Sequence, residues 1–129
     1  MQVRERLRRA PVTAPPTCSC QEAAQIMASY DVGSLLVVDA GRLVGIVTDR
    51  DLVVRAFSAG MGSATSLADV MTASPVSVQG GSDISVAADV MASAGVRRVP
   101  VLEGTEVAGV VSLDDVLRDG LSGYNLVVT

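Results

Sequence analysis

Apolar positions along the chain follow two alternating rhythms, and the order of those rhythms repeats. A Pro-led apolar stretch at residues 12–14 reads as a short strand. Ala23, Ala24 and Met27, with Ile26 and Tyr30 flanking, then recur at helical spacing. The helix opens with Ser19 and Glu22 three positions later, the pattern of a capping box, and it should end near Asp31. The run Leu35-Leu36-Val37-Val38 predicts a buried strand, Asp39-Ala40-Gly41-Arg42 a turn, and residues 43–47 a second strand; another helix begins at Thr48.

The same succession returns further along. Residues 76–78 predict a short strand, and Ser82 or Asp83 caps a helix marked by Ala87, Ala88, Val90 and Met91 that should stop near Gly95. Val99-Pro100-Val101-Leu102, the turn Glu103-Gly104-Thr105-Glu106 and residues 107–111 form the next hairpin, and a helix starts at Ser112. Adding 64 carries one set onto the other without a gap: Pro11 to Pro75, Ala23-Ala24 to Ala87-Ala88, Met27 to Met91, Gly45 to Gly109 and Asp51 to Asp115. Residues 11–55 and 75–119 are therefore two copies of a β-α-β-β-α unit, and the fold class is α/β (α+β).

A unit of about 45 residues is marginal by itself, so the copies must pack together about a pseudo-twofold axis. The small residues Ala23, Ala24, Ala87 and Ala88 would let them approach closely. Such an arrangement leaves paired clefts between the copies, the usual place for a small ligand. Residues 1–10 form a basic arm, expected to be a solvated turn or frayed end. Residues 56–74 form a connector, with a flexible loop at Gly60-Met61-Gly62-Ser63 and a short helix at Ser66-Leu67-Ala68-Asp69-Val70-Met71. Residues 120–129 form a tail whose apolar end either adds a strand to a neighbour or covers a groove.

Composition narrows the chemistry. The 129 residues include no histidine, which removes Ser-His-Asp catalysis, histidine-held metals and a histidine pH switch. Cys18 and Cys20 are the only cysteines, too few for a zinc ribbon within one chain. Cys20 reads as core packing, Cys18 after Pro15-Pro16 as the candidate exposed thiol. The basic residues are all arginines, ten against fourteen acids, for a net charge of −4. That balance, with Tyr30, Phe57 and Tyr124 as the only aromatics, gives no reason to expect nucleic acid as a partner. No run approaches a membrane span and residues 1–20 lack the apolar core of a signal peptide, so no membrane association and a cytoplasmic location are expected.

The candidate chemistry sits in two matching segments, Gly45-Ile46-Val47-Thr48-Asp49-Arg50-Asp51 and Gly109-Val110-Val111-Ser112-Leu113-Asp114-Asp115. Each places a hydroxyl at a strand-to-helix junction and an acid three positions on. Thr48 or Ser112 can cap its helix while Asp51 or Asp115 returns the hydrogen bond. The same pair at a cleft mouth can bind a vicinal diol, and the two roles are compatible because a carboxylate has several lone-pair sites. The carboxylates Asp49, Asp51, Asp114 and Asp115 have no visible nucleophile beside them, so no catalysis is expected. Arg50 is either solvent-facing, paired with Asp49 or a second positive charge. The helices after Asp51 and Asp115 carry Leu52, Val53, Phe57, Val116, Leu117 and Leu121, an apolar surface that implies an interface.

The duplicated unit, the two Gly-hydrophobic-hydrophobic-Thr/Ser-x-x-Asp segments and the run Arg97-Arg98-Val99-Pro100-Val101 together resemble the cystathionine β-synthase (CBS) domain family over residues 11–119. The chain is similar to a stand-alone tandem pair, a Bateman module. The resemblance implies a non-enzymatic sensor that binds AMP, ADP, ATP or S-adenosylmethionine as a regulatory ligand, with no required cofactor. By that resemblance Thr48 with Asp51, and Ser112 with Asp115, hold ribose hydroxyls. Ile46, Val47, Val110, Val111, Thr13 and Ser77 enclose adenine. Arg97 and Arg98 meet phosphate, the alternative being an ion pair with Glu103 or Asp114. Their counterparts Gly33 and Ser34 are uncharged, so the two clefts should differ, with phosphate on the Arg97/Arg98 side. The resemblance also implies a homodimer and a protein target; a nucleotide-free interaction module of the same fold is the other reading.

Overall fold

The computed structural model describes residues 1–119; the tail 120–129, with Leu121 and Tyr124, lies outside the described residues. Two small sheets carry the two copies. The first has the order β1 (Thr13–Ala14), β2 (Ser34–Asp39), β3 (Arg42–Thr48), β4 (Thr72–Ala73), with β1 parallel to β2 and the rest antiparallel. The second has the order β5 (Val78–Gln79), β6 (Arg98–Glu103), β7 (Glu106–Ser112), again parallel then antiparallel.

Helix α1 (Cys20–Tyr30) packs on the first sheet and α3 (Ile84–Ala94) on the second. Ser19 caps α1 by accepting from the Glu22 N–H at 3.1 Å, and Asp83 caps α3 by accepting from the Ser85 N–H at 3.1 Å. Both helices end on a left-handed residue, Asp31 at φ 52° and Gly95 at φ 67°. The closing helices differ. In the second copy α4 (Leu113–Asp119) is α-helical, whereas in the first a short α2 (Asp49–Asp51) widens into a π-helical stretch, Leu52–Phe57. No helix among the described residues is long and apolar enough to cross a membrane.

The copies meet along β3 and β7, but each keeps its own core. Ala23 is fully buried among Leu35, Val37 and Val47, and Ala87 among Val99, Val101 and Val111. The small helix residues thus serve packing on their own sheets rather than the approach of one copy to the other, which corrects that expectation. Ala24 is in fact exposed.

What joins the copies more intimately is an exchange of leading segments. The short 3-10 helix Val3–Arg6 runs along the second copy: Val3 N–H donates to Ser82 O and Arg4 N–H to Gly80 O, each at 2.9 Å, and Val3 is fully buried in the second core. Its counterpart Leu67–Asp69 lies on the first copy, with Leu67 N–H donating to Cys18 O at 2.8 Å and Ala68 N–H to Pro16 O at 3.1 Å. Leu67 and Val70 are fully buried in the first core. The offset of 64 holds for every partner in these bonds, so the internal symmetry reaches upstream of residue 11. Residues 1–10 are accordingly not a solvated arm; burying Val3 holds them in place. Arg4 adds a two-pronged contact, donating from Nε and Nη2 to the Glu103 carboxylate at 3.0 Å each.

The cysteines also differ from expectation. Cys18 is buried beside Cys20 because Pro15 O receives its N–H at 3.0 Å and the bend turns the side chain inward. Burial pushes both thiols above their usual pKa, helped by Glu22 and Cys20 beside Cys18 and by Asp69 beside Cys20.

Candidate nucleotide clefts

The strand-to-helix junctions take the same form in both copies. Thr48 Oγ1 accepts from the Asp51 N–H at 3.1 Å, while Asp51 Oδ2 accepts from the Thr48 N–H at 2.9 Å. Ser112 and Asp115 reproduce both bonds, at 3.1 and 2.9 Å. A backbone bond from the opening residue of each helix fixes the junction: Asp49 N–H to Gly33 O at 3.0 Å, and Leu113 N–H to Arg97 O at 2.8 Å.

Capping leaves chemistry to spare. Each hydroxyl uses a lone pair as acceptor and keeps its proton to donate, and each carboxylate commits one oxygen and keeps the other. In the first copy that other oxygen, Asp51 Oδ1, lies 3.6 Å from Arg55 Nε. All four residues are half-buried, at the floor of two clefts.

The first cleft, about 540 Å³, is built across the copies. Ile46, Thr48, Arg50 and Asp51 come from the first; Pro75, Val76, Arg97 and Arg98 come from the second. The second cleft, about 380 Å³, reverses the contribution: Val110, Ser112 and Asp115 from the second copy face Pro11, Val12, Gly33 and Ser34 from the first. Both volumes fall in the range of small-ligand sites.

Strand alternation sorts the remaining candidates. Ile46 and Val110 share a face with Thr48 and Ser112 and line the clefts, whereas Val47 and Val111 point the opposite way and are fully buried in the two cores. Thr13 borders a separate surface depression with Ile26 and Tyr30, and Ser77 is exposed and lines neither cleft. The cleft walls are instead formed just upstream, at Pro11-Val12 and Pro75-Val76, before the chain enters the sheet. Hence Val47, Val111, Thr13 and Ser77 stand outside the cleft linings.

The arginines fall differently from the expectation of one charged and one neutral cleft. Arg97 and Arg98 line the first cleft with Arg50, and Glu103 is occupied by Arg4. The second cleft receives Arg6, Arg8 and Arg9 from the leading segment, and Arg98 reaches it as well. Arg9 Nη1 donates to Tyr30 O at 2.8 Å, anchoring that end. Asp31 and Asp114 temper this charge. The leading arginines are the functional candidates that sequence reasoning missed; the apolar pairs Val3/Leu67 and Leu7/Met71, both 64 apart, are the signal that extends the repeat to them.

Comparison with known proteins places this geometry. A family model described as CBS domain matches residues 3–57 and 67–121. The chain is 33% identical over 110 residues to the CBS domain-containing protein YhcV of Bacillus subtilis, covering 85% of this chain and 79% of that one. It is 41% identical over 96 residues to YlbB of the same organism, covering 73% of this chain and 65% of YlbB. Among solved structures it resembles the CBS domain protein PAE2072 from Pyrobaculum aerophilum complexed with AMP, with a TM-score of 0.82, 28% identity and 89% of each chain covered.

Proposed function

The chain belongs to the CBS-domain family, whose members are regulatory modules, and on that premise we propose that it senses an adenosyl ligand, AMP, ADP, ATP or S-adenosylmethionine, in its two clefts. The observation that carries this reading is the twinned hydroxyl and carboxylate pair, Thr48/Asp51 and Ser112/Asp115, each with hydrogen-bonding capacity left after capping. PAE2072, with AMP bound, lends support as a relative of the same fold. Ile46 and Val110 offer adenine an apolar wall, and the arginines at both cleft mouths suit phosphate.

Because each cleft takes one wall from either copy, a ligand that contacts both walls favours one relative placement of the copies. That differential affinity is the source of the signal. Leu52 and Val116, expected on the pairing surface, are buried in the two cores, so it is the exposed Val53, Val54, Phe57 and Met61 that form the face through which two chains pair as a homodimer, and a protein target reads the pair. Sedimentation at micromolar concentration should show the dimer.

Calorimetry and thermal melting with AMP, ATP and S-adenosylmethionine test the proposal. A ligand at a hundred times its Kd should add about 2.7 kcal/mol to stability. Asp115→Ala should weaken binding by about 1–3 kcal/mol, through loss of a charged hydrogen bond to ribose. If none of the three raises the melting temperature, the nucleotide-free interaction module takes its place, supported by the same exposed apolar face.

A further inference from the structure

Arg98 occupies a position with no equal among the described residues. It is the first residue of β6, paired in register with Ser112, the hydroxyl residue of the second cleft. Yet it lines the first cleft, the second cleft and a smaller hollow of about 120 Å³ formed with Arg97, Leu113 and Asp114.

The room for this comes from Gly33. A Cβ at position 33 would lie 2.9 Å from Arg98 Nη2 and 3.6 Å from its Cζ, so the guanidinium fills the space a side chain there would take. Asp49 Oδ2 borders the same point at 3.4 Å. The internal symmetry does not supply a second such group. Adding 64 relates Ser34 to Arg98 and Gly33 to Arg97, and a serine at position 34 is too short to cross between clefts. One guanidinium therefore stands between two sites.

Resting on the adenosyl-ligand reading, we propose that Arg98 is a phosphate ligand shared by both clefts, so that phosphorylated nucleotides bind them with negative cooperativity. A guanidinium presents a rigid fork that engages one phosphate bidentately. When one cleft holds a nucleotide, the second phosphate meets an arginine already committed and a nearby like charge. The coupling is reciprocal and vanishes for a ligand without phosphate.

The test uses AMP and adenosine as probes, titrated calorimetrically into the wild type and into Asp51→Ala and Asp115→Ala, each of which weakens one cleft by about 1–3 kcal/mol so that the other fills first and is read as the single-cleft background. In the wild type, the second AMP should bind about tenfold more weakly than that cleft binds it alone, while adenosine shows no such gap. Arg98→Ser, which installs the residue found at position 34, should lower AMP affinity about tenfold or more in both single-cleft backgrounds and abolish the gap. Adenosine affinity should stay within about twofold. Arg98→Lys, which keeps charge but loses the fork, should show a smaller AMP loss in both clefts and serves if the serine variant does not fold.

The inference is overturned if either Arg98 variant weakens AMP in one cleft only, or if the gap survives without the arginine. Failure of both AMP and adenosine to bind the wild type would instead remove the adenosyl-ligand reading itself, a result visible before any variant is made.

Discussion

Val3 and Leu67 stand 64 positions apart, and each is fully buried in the core of the copy that the other one leads. Neither copy closes its core from its own contiguous residues. The first needs Leu67 and Val70, the second needs Val3. This exchange explains how units of marginal size become stable: each borrows apolar volume from the segment ahead of its twin, so the copies fold together.

Removing either plug should therefore be costly. Leu67→Ala is expected to destabilise by about 2–5 kcal/mol, and Val3→Ala by about 2 kcal/mol, since fewer methyl groups leave a smaller cavity. Urea denaturation of both variants and the double mutant checks this. The two losses should add to within about 0.5 kcal/mol because the plugs sit in separate cores. A neutral Val3→Ala would mean that the leading segment contributes nothing to the second core.

Gly45 and Gly109 are matching positions with unequal surroundings. A Cβ at Gly45 would run into Met71 Sδ and lie 3.1 Å from the Thr72 carbonyl oxygen, which belongs to a paired strand. At Gly109 the nearest obstacle is the end of Leu7, 2.9 Å from Cδ2, a side chain that can swing aside. Gly45→Ala should thus cost about 1–3 kcal/mol and Gly109→Ala clearly less, under about 1 kcal/mol. Thermal melting of the two variants side by side reads the difference, and an inverted order would contradict the account.

Asp83 gives the acid side of the stability profile a specific contributor. The Ser85 hydroxyl donates to its carboxylate at 2.7 Å, the Ser85 N–H donates at 3.1 Å, and the Met1 ammonium lies 3.3 Å away. Together they lower its pKa to about 2. An unfolded aspartate titrates near ~3.9, so the folded state binds this proton less readily. The stabilisation is complete above about pH 4 and fades as pH falls through about 2. Asp83→Asn should make the loss of stability between those values shallower than in the wild type. Identical slopes would show that the contacts do not persist in solution.

The order of elements was legible in the sequence because apolar spacing fixes which face of a strand or helix must be covered. Ser34–Asp39 and Arg42–Thr48 follow directly from the runs around Leu36 and Ile46, and their twins from the offset. The junction pairs Thr48/Asp51 and Ser112/Asp115 were equally legible, since a capping box is a local pattern of hydroxyl and acid three apart. The split between Ile46 and Val47, or Val110 and Val111, was open to the alternation rule, because successive strand residues face opposite sides.

What only the tertiary structure decided concerns residues whose partners are distant in sequence. Val3 carries no local mark of burial, and it is buried only because residues 1–10 cross to the other copy. Arg6, Arg8 and Arg9 enter the second cleft for the same reason, and Arg98 reaches both clefts because Gly33, far away in sequence, leaves a gap. Local pattern determines which elements form and which face each turns inward. Which copy a segment covers depends on how two symmetric units share apolar surface, a choice made by long-range packing that a single stretch of chain does not encode.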